Sequence, residues 1–191
     1  MTIKKLLIAN RGEIASRIIS SAHDMGISCV AIYTEADKDT PYVREADQAF
    51  KLSDSYLNSK EILDIALKSN SDAIHPGYGF LSENAAFANQ VKKLNIKWVG
   101  PSSNAIKKMG DKLTAKEIAI KANVPTLPMT SDPKKANSIG YPILVKAAAG
   151  GGGKGMRIVE KAKDLKESIK AAEREAEGGF GDTRVFLERY I

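Results

Sequence analysis

Along residues 1–100, short uninterrupted apolar runs alternate with segments of helical period, and few architectures accept that pattern. A strand that is apolar on both faces needs cover on both, which an open parallel sheet flanked by helices supplies. Residues 3–9, 28–33, 48–52, 73–75 and 96–100 read as five strands. Residues 12–25, 60–69 and 83–94 read as helices between them. The first carries Ile14, Ile18, Ile19 and Ala22 on one face and stops at Gly26; the second opens on an Asn58–Glu61 capping pair. The expected fold class is α/β, with a Rossmann-like, doubly wound parallel sheet.

The pattern changes after Gly100-Pro101-Ser102-Ser103. Residues 104–109 and 111–122 read as helices, and Pro125, Pro128 and Pro133 then argue against regular structure and for an inter-domain connection. Beyond it come a strand at 141–147, a glycine loop, a strand at 156–160, a helix at 163–177 and a strand at 184–190. The expected organisation is a Rossmann-like domain over 1–110, a helical and proline-rich connection over 111–135, and a small α+β subdomain over 136–191.

Four consecutive glycines, Gly150 to Gly153, interrupt that subdomain between two strand-like runs. Glycine has no side chain to bury and loses the most backbone entropy on folding, so such a run implies close backbone approach to a ligand. Phosphate suits it, because main-chain N–H groups can turn toward oxyanions while Lys146 and Lys154 add positive charge. A Walker loop is excluded, since Gly155 follows Lys154 where Ser or Thr would be needed. A flexible linker is the bland alternative.

Composition removes several function classes. The 191 residues are 43% hydrophobic, enough for a substantial core, and no apolar stretch approaches the roughly 20 residues of a membrane span. No membrane partner is expected. Cys29 is the sole cysteine and His23 and His75 the only histidines, which argues against a disulfide framework and a zinc cluster; no metal ligand is assigned. The net charge is +6, with Lys107, Lys108, Lys112, Lys116 and Lys121 as the densest basic stretch. Aromatic residues make up only 6% and none interleaves with these lysines, so nucleic acid is not an expected partner. The stretch reads as a solvated helix face or as a binder of small anions.

Two further motifs lie at strand ends. In residues 7–15, polar Asn10 and Arg11 emerge at the carboxyl end of the first strand, the edge where open parallel sheets bind ligands. In residues 75–84, His75-Pro76-Gly77-Tyr78-Gly79 makes a stiff turn that presents one aromatic side chain, with His75 read as structural.

Taken with Met109-Gly110-Asp111-Lys112, Pro142-Ile143-Leu144-Val145-Lys146 and Leu187-Glu188-Arg189-Tyr190-Ile191, these motifs resemble the amino-terminal part of biotin carboxylases. Those are the ATP-grasp subunits or domains of acyl-CoA and pyruvate carboxylases. Ala36-Asp37, Arg44 to Asp47 and Phe180-Gly181-Asp182 look most like the acyl-CoA carboxylase α subunits. The resemblance implies a ligase in which ATP phosphorylates bicarbonate, carboxyphosphate yields CO2, and N1 of biotin on a carrier domain is carboxylated. It also implies a carboxyltransferase subunit as partner, a homodimer at full length, and a cytoplasmic or mitochondrial-matrix location.

Residue by residue, the resemblance assigns Lys112 and Lys146 to the ATP phosphates and Gly152 and Gly153 to the tip of a lid over 136–191. Met156 packs on the adenine face, and Glu188, Arg189 and Ile191 form the hinge that receives the adenine, with Glu188 accepting from its amino group. Tyr78 faces the carboxylation site; no catalytic residue is assigned. Mg2+ ligands and the catalytic region belong to later parts of family members. The expectation is therefore an amino-terminal fragment, binding nucleotide weakly and inactive alone. Alternatives are the corresponding region of a pyruvate carboxylase, another ATP-grasp ligase, and a non-catalytic interaction module.

Overall fold

The computed structural model describes residues 2–148 and 156–191. The chain divides into two compact units, Met1–Lys107 and Lys108–Ile191. Gly152 and Gly153, with the rest of the glycine run, lie outside the described residues.

The first unit is built on five parallel strands: β1 (Lys5–Ile8), β2 (Ser28–Tyr33), β3 (Gln48–Lys51), β4 (Ala73–His75) and β5 (Lys97–Trp98). Their order is β3-β2-β1-β4-β5, so the winding reverses between β1 and β4. Alternate residues of each strand serve opposite faces. Leu7, Val30, Ile32 and Ile74 face one layer, formed by α3 (Ser59–Lys68) and α4 (Ala85–Lys93) through Ile62, Ala66, Phe87 and Val91. Leu6, Ile8, Cys29 and Ala31 face the other, formed by α1 (Gly12–Asp24) and the short α2 (Pro41–Glu45) through Ile14, Ile19 and Tyr42. This double cover is why the strands are apolar without alternation. Asn58 and Asn84 cap α3 and α4 by accepting from Glu61 N and Phe87 N.

α5 (Ser103–Gly110) carries the chain onward to α6 (Lys112–Lys121), whose N-cap Asp111 accepts from Thr114 N. The second unit holds a four-stranded antiparallel sheet in the order β6-β9-β7-β8: β6 (Met129–Thr130), β7 (Ile143–Ala147), β8 (Arg157–Val159) and β9 (Val185–Arg189). The proline-rich segment expected to be irregular thus contains a strand. Met129 pairs with Glu188 and Thr130 with Leu187, so residues between Pro128 and Pro133 complete a sheet edge, where proline is tolerated. The stretch 111–135 accordingly belongs to the second unit. After α7 (Ala136–Ile139), the strands pack one face on α8 (Leu165–Phe180), burying Ile143, Val145, Val159, Leu165, Ala172 and Leu187.

Candidate functional site

The other face of the second unit's sheet carries two charged side chains, Lys146 and Glu188. On β7 and β9, Lys146 lies opposite Phe186 and diagonal to Glu188, because Leu144 is the direct partner of Glu188. Strand alternation sends Ile143, Val145 and Ala147 to the α8 side and leaves Leu144 and Lys146 on the opposite one. Helical spacing does the same for α6: Lys112, Ala115, Lys116 and Ala119 share one face. Together with Lys146, Phe186 and Glu188 they line a cavity of about 300 Å³.

One carboxylate pairs with two of the three ammonium groups there. Glu188, only 7% exposed, accepts from Lys146 Nζ at 3.0 Å and pairs with Lys116 through its other oxygen. Lys116 also donates to Leu127 O at 2.9 Å, and Lys146 lies 5.7 Å from the Phe186 ring centroid. Lys112 Nζ donates to Ala147 O at 3.0 Å, while its backbone N–H reaches Ala148 O, tying the start of α6 to the end of β7. Burial raises the Glu188 carboxyl, but hydrogen bonds from Lys116 and Lys146 outweigh it and leave it below the usual range. Burial and the neighbouring Lys146 charge push the Lys112 ammonium down. The lining carries a charge excess of two cations, a setting that attracts an anion.

Of the residues singled out from sequence, Lys112, Lys146 and Glu188 converge on this cavity. Arg189 does not: its guanidinium donates to Tyr141 O at 2.6 Å and sits over Gly140. Met156 is 47% and Ile191 87% exposed, and neither lines the cavity. Lys116 was missed as a site residue, grouped with a generally basic helix. The signal was its i,i+4 spacing from Lys112.

The first unit carries the other motifs. At the reversal between β1 and β4, where a doubly wound sheet opens a crevice, buried Asn10 donates through Nδ2 to Pro76 O and Tyr78 O, both at 2.7 Å. Gly77, at φ +62°, leaves no room for a side chain, since a Cβ there would lie 2.6 Å from Asn10 Nδ2. The crevice is filled by the protein's own clamp. Its product is an exposed Tyr78, whose hydroxyl bonds Glu13. His75 accepts from Gly77 N through Nδ1 at 3.0 Å, and burial with the charge of Arg17 lowers its pKa, in keeping with a structural role. Arg11 joins a buried network in which Asp37 accepts from Tyr56 Oη at 2.6 Å and from Thr34 Oγ1 at 3.1 Å.

Residues 2–106 match the family described as "Biotin carboxylase, N-terminal domain", and residues 111–191 match "Carbamoyl-phosphate synthase L chain, ATP binding domain". The chain belongs to the biotin carboxylase family. It is 48% identical to the mitochondrial methylcrotonoyl-CoA carboxylase subunit alpha of Dictyostelium discoideum, aligned over 99% of this chain and 29% of that protein. It is also 48% identical to biotin carboxylase 1 of Bacillus subtilis, over 99% of this chain and 45% of that protein. The chain therefore spans less than half the length of these curated relatives. Among solved structures, the biotin carboxylase domain dimer of Hydrogenobacter thermophilus 2-oxoglutarate carboxylase, in complex with MgADP, ADP and bicarbonate, superposes with a TM-score of 0.94. The two are 42% identical, over all of this chain and 45% of that one. No helix among the described residues is long and apolar enough to cross a membrane.

Proposed function

We propose that the second unit binds ATP and that the chain serves, as part of a biotin carboxylase, the ATP- and bicarbonate-dependent carboxylation of biotin on a carrier domain within an acyl-CoA carboxylase. The observation that carries this reading is the cavity in which Lys112, Lys116 and Lys146 surround a single carboxylate. A triphosphate needs cations held in place before it arrives, because in phosphoryl transfer electrostatic stabilisation is the main resource a protein can offer.

In this reading Lys112 and Lys146 hold phosphate oxygens, and the resemblance assigns Gly152 and Gly153 to nucleotide binding as well. Glu188 keeps the ammonium groups apart and oriented, and meets the adenine at the hinge with Arg189 and Ile191; Met156 packs on the ring. Tyr78 faces the carboxylation site from the first unit. Magnesium does not fit the donors of this cavity: its one acidic lining residue is Glu188, already engaged by two ammonium groups, whereas Mg2+ takes oxygen ligands with open lone pairs. No step is assigned to it here. Carrier domain, carboxyltransferase and a homodimeric assembly are the partners that follow from the family.

The test is ADP release by the complete gene product, with bicarbonate and free biotin added separately. Bicarbonate-dependent cleavage stimulated by biotin supports the assignment; cleavage indifferent to biotin defeats it.

A further inference from the structure

Outside the lysine cavity, three side chains of different chemistry meet at one end of the first unit. His23 lies in the last turn of α1, Cys29 is the second residue of β2, and Asp47 immediately precedes β3. Asp47 Oδ2 accepts from Cys29 N at 2.7 Å and sits 3.0 Å from His23 Nε2. One ligand atom from each side chain, the cysteine sulfur included, lies within 4.8 Å of the others. The thiol is fully buried, with only long contacts to Ile27 O at 3.7 Å and Ile19 O at 4.0 Å. The imidazole and carboxylate are 41% and 48% exposed, so the cluster is open on its outer side.

We propose that His23, Cys29 and Asp47 form a binding site for a zinc-class divalent cation. A thiolate sulfur, an imidazole nitrogen and a carboxylate oxygen are the donor set that zinc accepts and that magnesium or calcium does not select. Three protein donors leave the fourth tetrahedral position to water, on the exposed side. Zinc bonds of about 2.0–2.3 Å put neighbouring donors roughly 3.5 Å apart. Rotation of the exposed His23 and Asp47 side chains closes the remaining gap. On binding, the metal replaces the thiol proton, which passes to water as the metal–sulfur bond forms; burial otherwise keeps that thiol protonated, pushed up to about 11. His23 also lines an open cavity of about 670 Å³ with Asp24 and Glu45.

Counting cysteines and histidines along the chain argued against a zinc cluster, because the third donor is a carboxylate delivered by the fold from 18 residues beyond Cys29. Occupied, the site would clip the end of α1, the start of β2 and the entry to β3 to one another. The lysine cavity plays no part in it.

Cobalt(II) titration of the metal-free chain tests the proposal. The expected result is one equivalent bound, with a thiolate-to-cobalt charge-transfer band that zinc bleaches, and a thermal midpoint raised by zinc. Cys29→Ser should abolish the band. His23→Gln and Asp47→Asn, both at the surface and chosen in case the buried cysteine variant does not fold, should each weaken cobalt binding at least tenfold. A wild-type chain that shows no charge-transfer band overturns the site, as does binding unchanged in both surface variants.

Discussion

Each unit buries one carboxylate among the described residues, Asp37 in the first and Glu188 in the second, and they are satisfied in opposite ways. Asp37 takes one cation, Arg11, and two hydroxyls, from Tyr56 and Thr34; Tyr56 is in turn bonded to Tyr42 at 2.9 Å. Charge and hydrogen bonds balance, and the network is a lock. Glu188 instead takes two ammonium groups with a third cation lining the same cavity, so its surroundings remain positive. The same device, a buried acid beside basic groups, is charge-balanced in one unit and leaves a net positive cavity in the other.

The sharpest way to break the comparison is to remove the first acid. Asp37→Ala should cost about 3 kcal/mol, because it removes the carboxylate that Arg11 and the Tyr56 and Thr34 hydroxyls share in the core. Urea denaturation followed by circular dichroism reads it. A loss below about 1 kcal/mol, the range of an exposed ion pair, would remove Asp37 from the role of lock.

Next in size is the clamp at the sheet reversal. Gly77→Ala should cost about 2 kcal/mol, through a Cβ aimed at Asn10 Nδ2 and a φ of +62°. In a Gly77→Ala, Asn10→Ala double variant the contacts with Asn10 Nδ2 and Cγ disappear and only that with its Cβ, at 3.1 Å, remains, so the double variant should lose less than the sum of the two single losses. Full additivity would show that strain at φ, and not the clash with Asn10, sets the cost.

On the other side of the comparison, Lys146→Ala and Lys112→Ala should disturb ligand more than fold. Each should weaken ATP binding by the complete gene product at least tenfold, about 1.4 kcal/mol, as read by calorimetric titration. Stability should move less, since Glu188 keeps Lys116 in the first variant and loses no partner in the second. Equal ATP affinity in wild type and both variants would make the cavity a structural feature like the Asp37 network.

How much of this was readable in the sequence depends on the range of the interactions. The parallel sheet was readable because burial on both faces writes itself locally, as in Leu6-Leu7-Ile8 and Cys29-Val30-Ala31-Ile32. The Asn58 cap is equally local, since it and its donor lie three residues apart; Asn84, which caps α4 in the same way, was passed over for a helix start at residue 83. The strand Met129–Thr130 escaped, because its partners are on β9 and the flanking prolines speak louder than two residues can. Lys146 stood out by ending an apolar strand. Lys116 did not, since a lysine on a lysine-rich helix acquires meaning only when Glu188 arrives from 72 positions away. The hinge residues Arg189 and Ile191 were named by resemblance alone, and Arg189 turns to Tyr141.

The smallest expected effect, and the one that compares both acids in a single experiment, is the acid limb of stability. For Asp37, burial pushes the carboxyl up, but hydrogen bonds from Arg11, Tyr56 and Thr34 more than offset that and leave it below its ordinary 3.8; Glu188 is likewise held below 4.5 by Lys116 and Lys146 against its own burial. A carboxylate depressed in the folded state binds fewer protons there than in the unfolded chain, so its stabilisation is complete above the unfolded pKa. It is lost as pH falls through the folded value. The urea midpoint should therefore fall on acidification, first below about pH 6.5, where the unfolded chain protonates His75 more readily than the folded one, and then as the acids titrate, each group contributing at most about 1.4 kcal/mol per pH unit. Glu188→Gln should flatten the Glu188 share of the part that begins below 4.5 and leave the shares of Asp37 and of the other depressed carboxylates, Glu35, Asp47, Asp72, Asp111 and Asp182. If the acid limb in Glu188→Gln matches wild type, Glu188 binds protons alike in the folded and unfolded chain, and the two lysines do not hold it below its ordinary value.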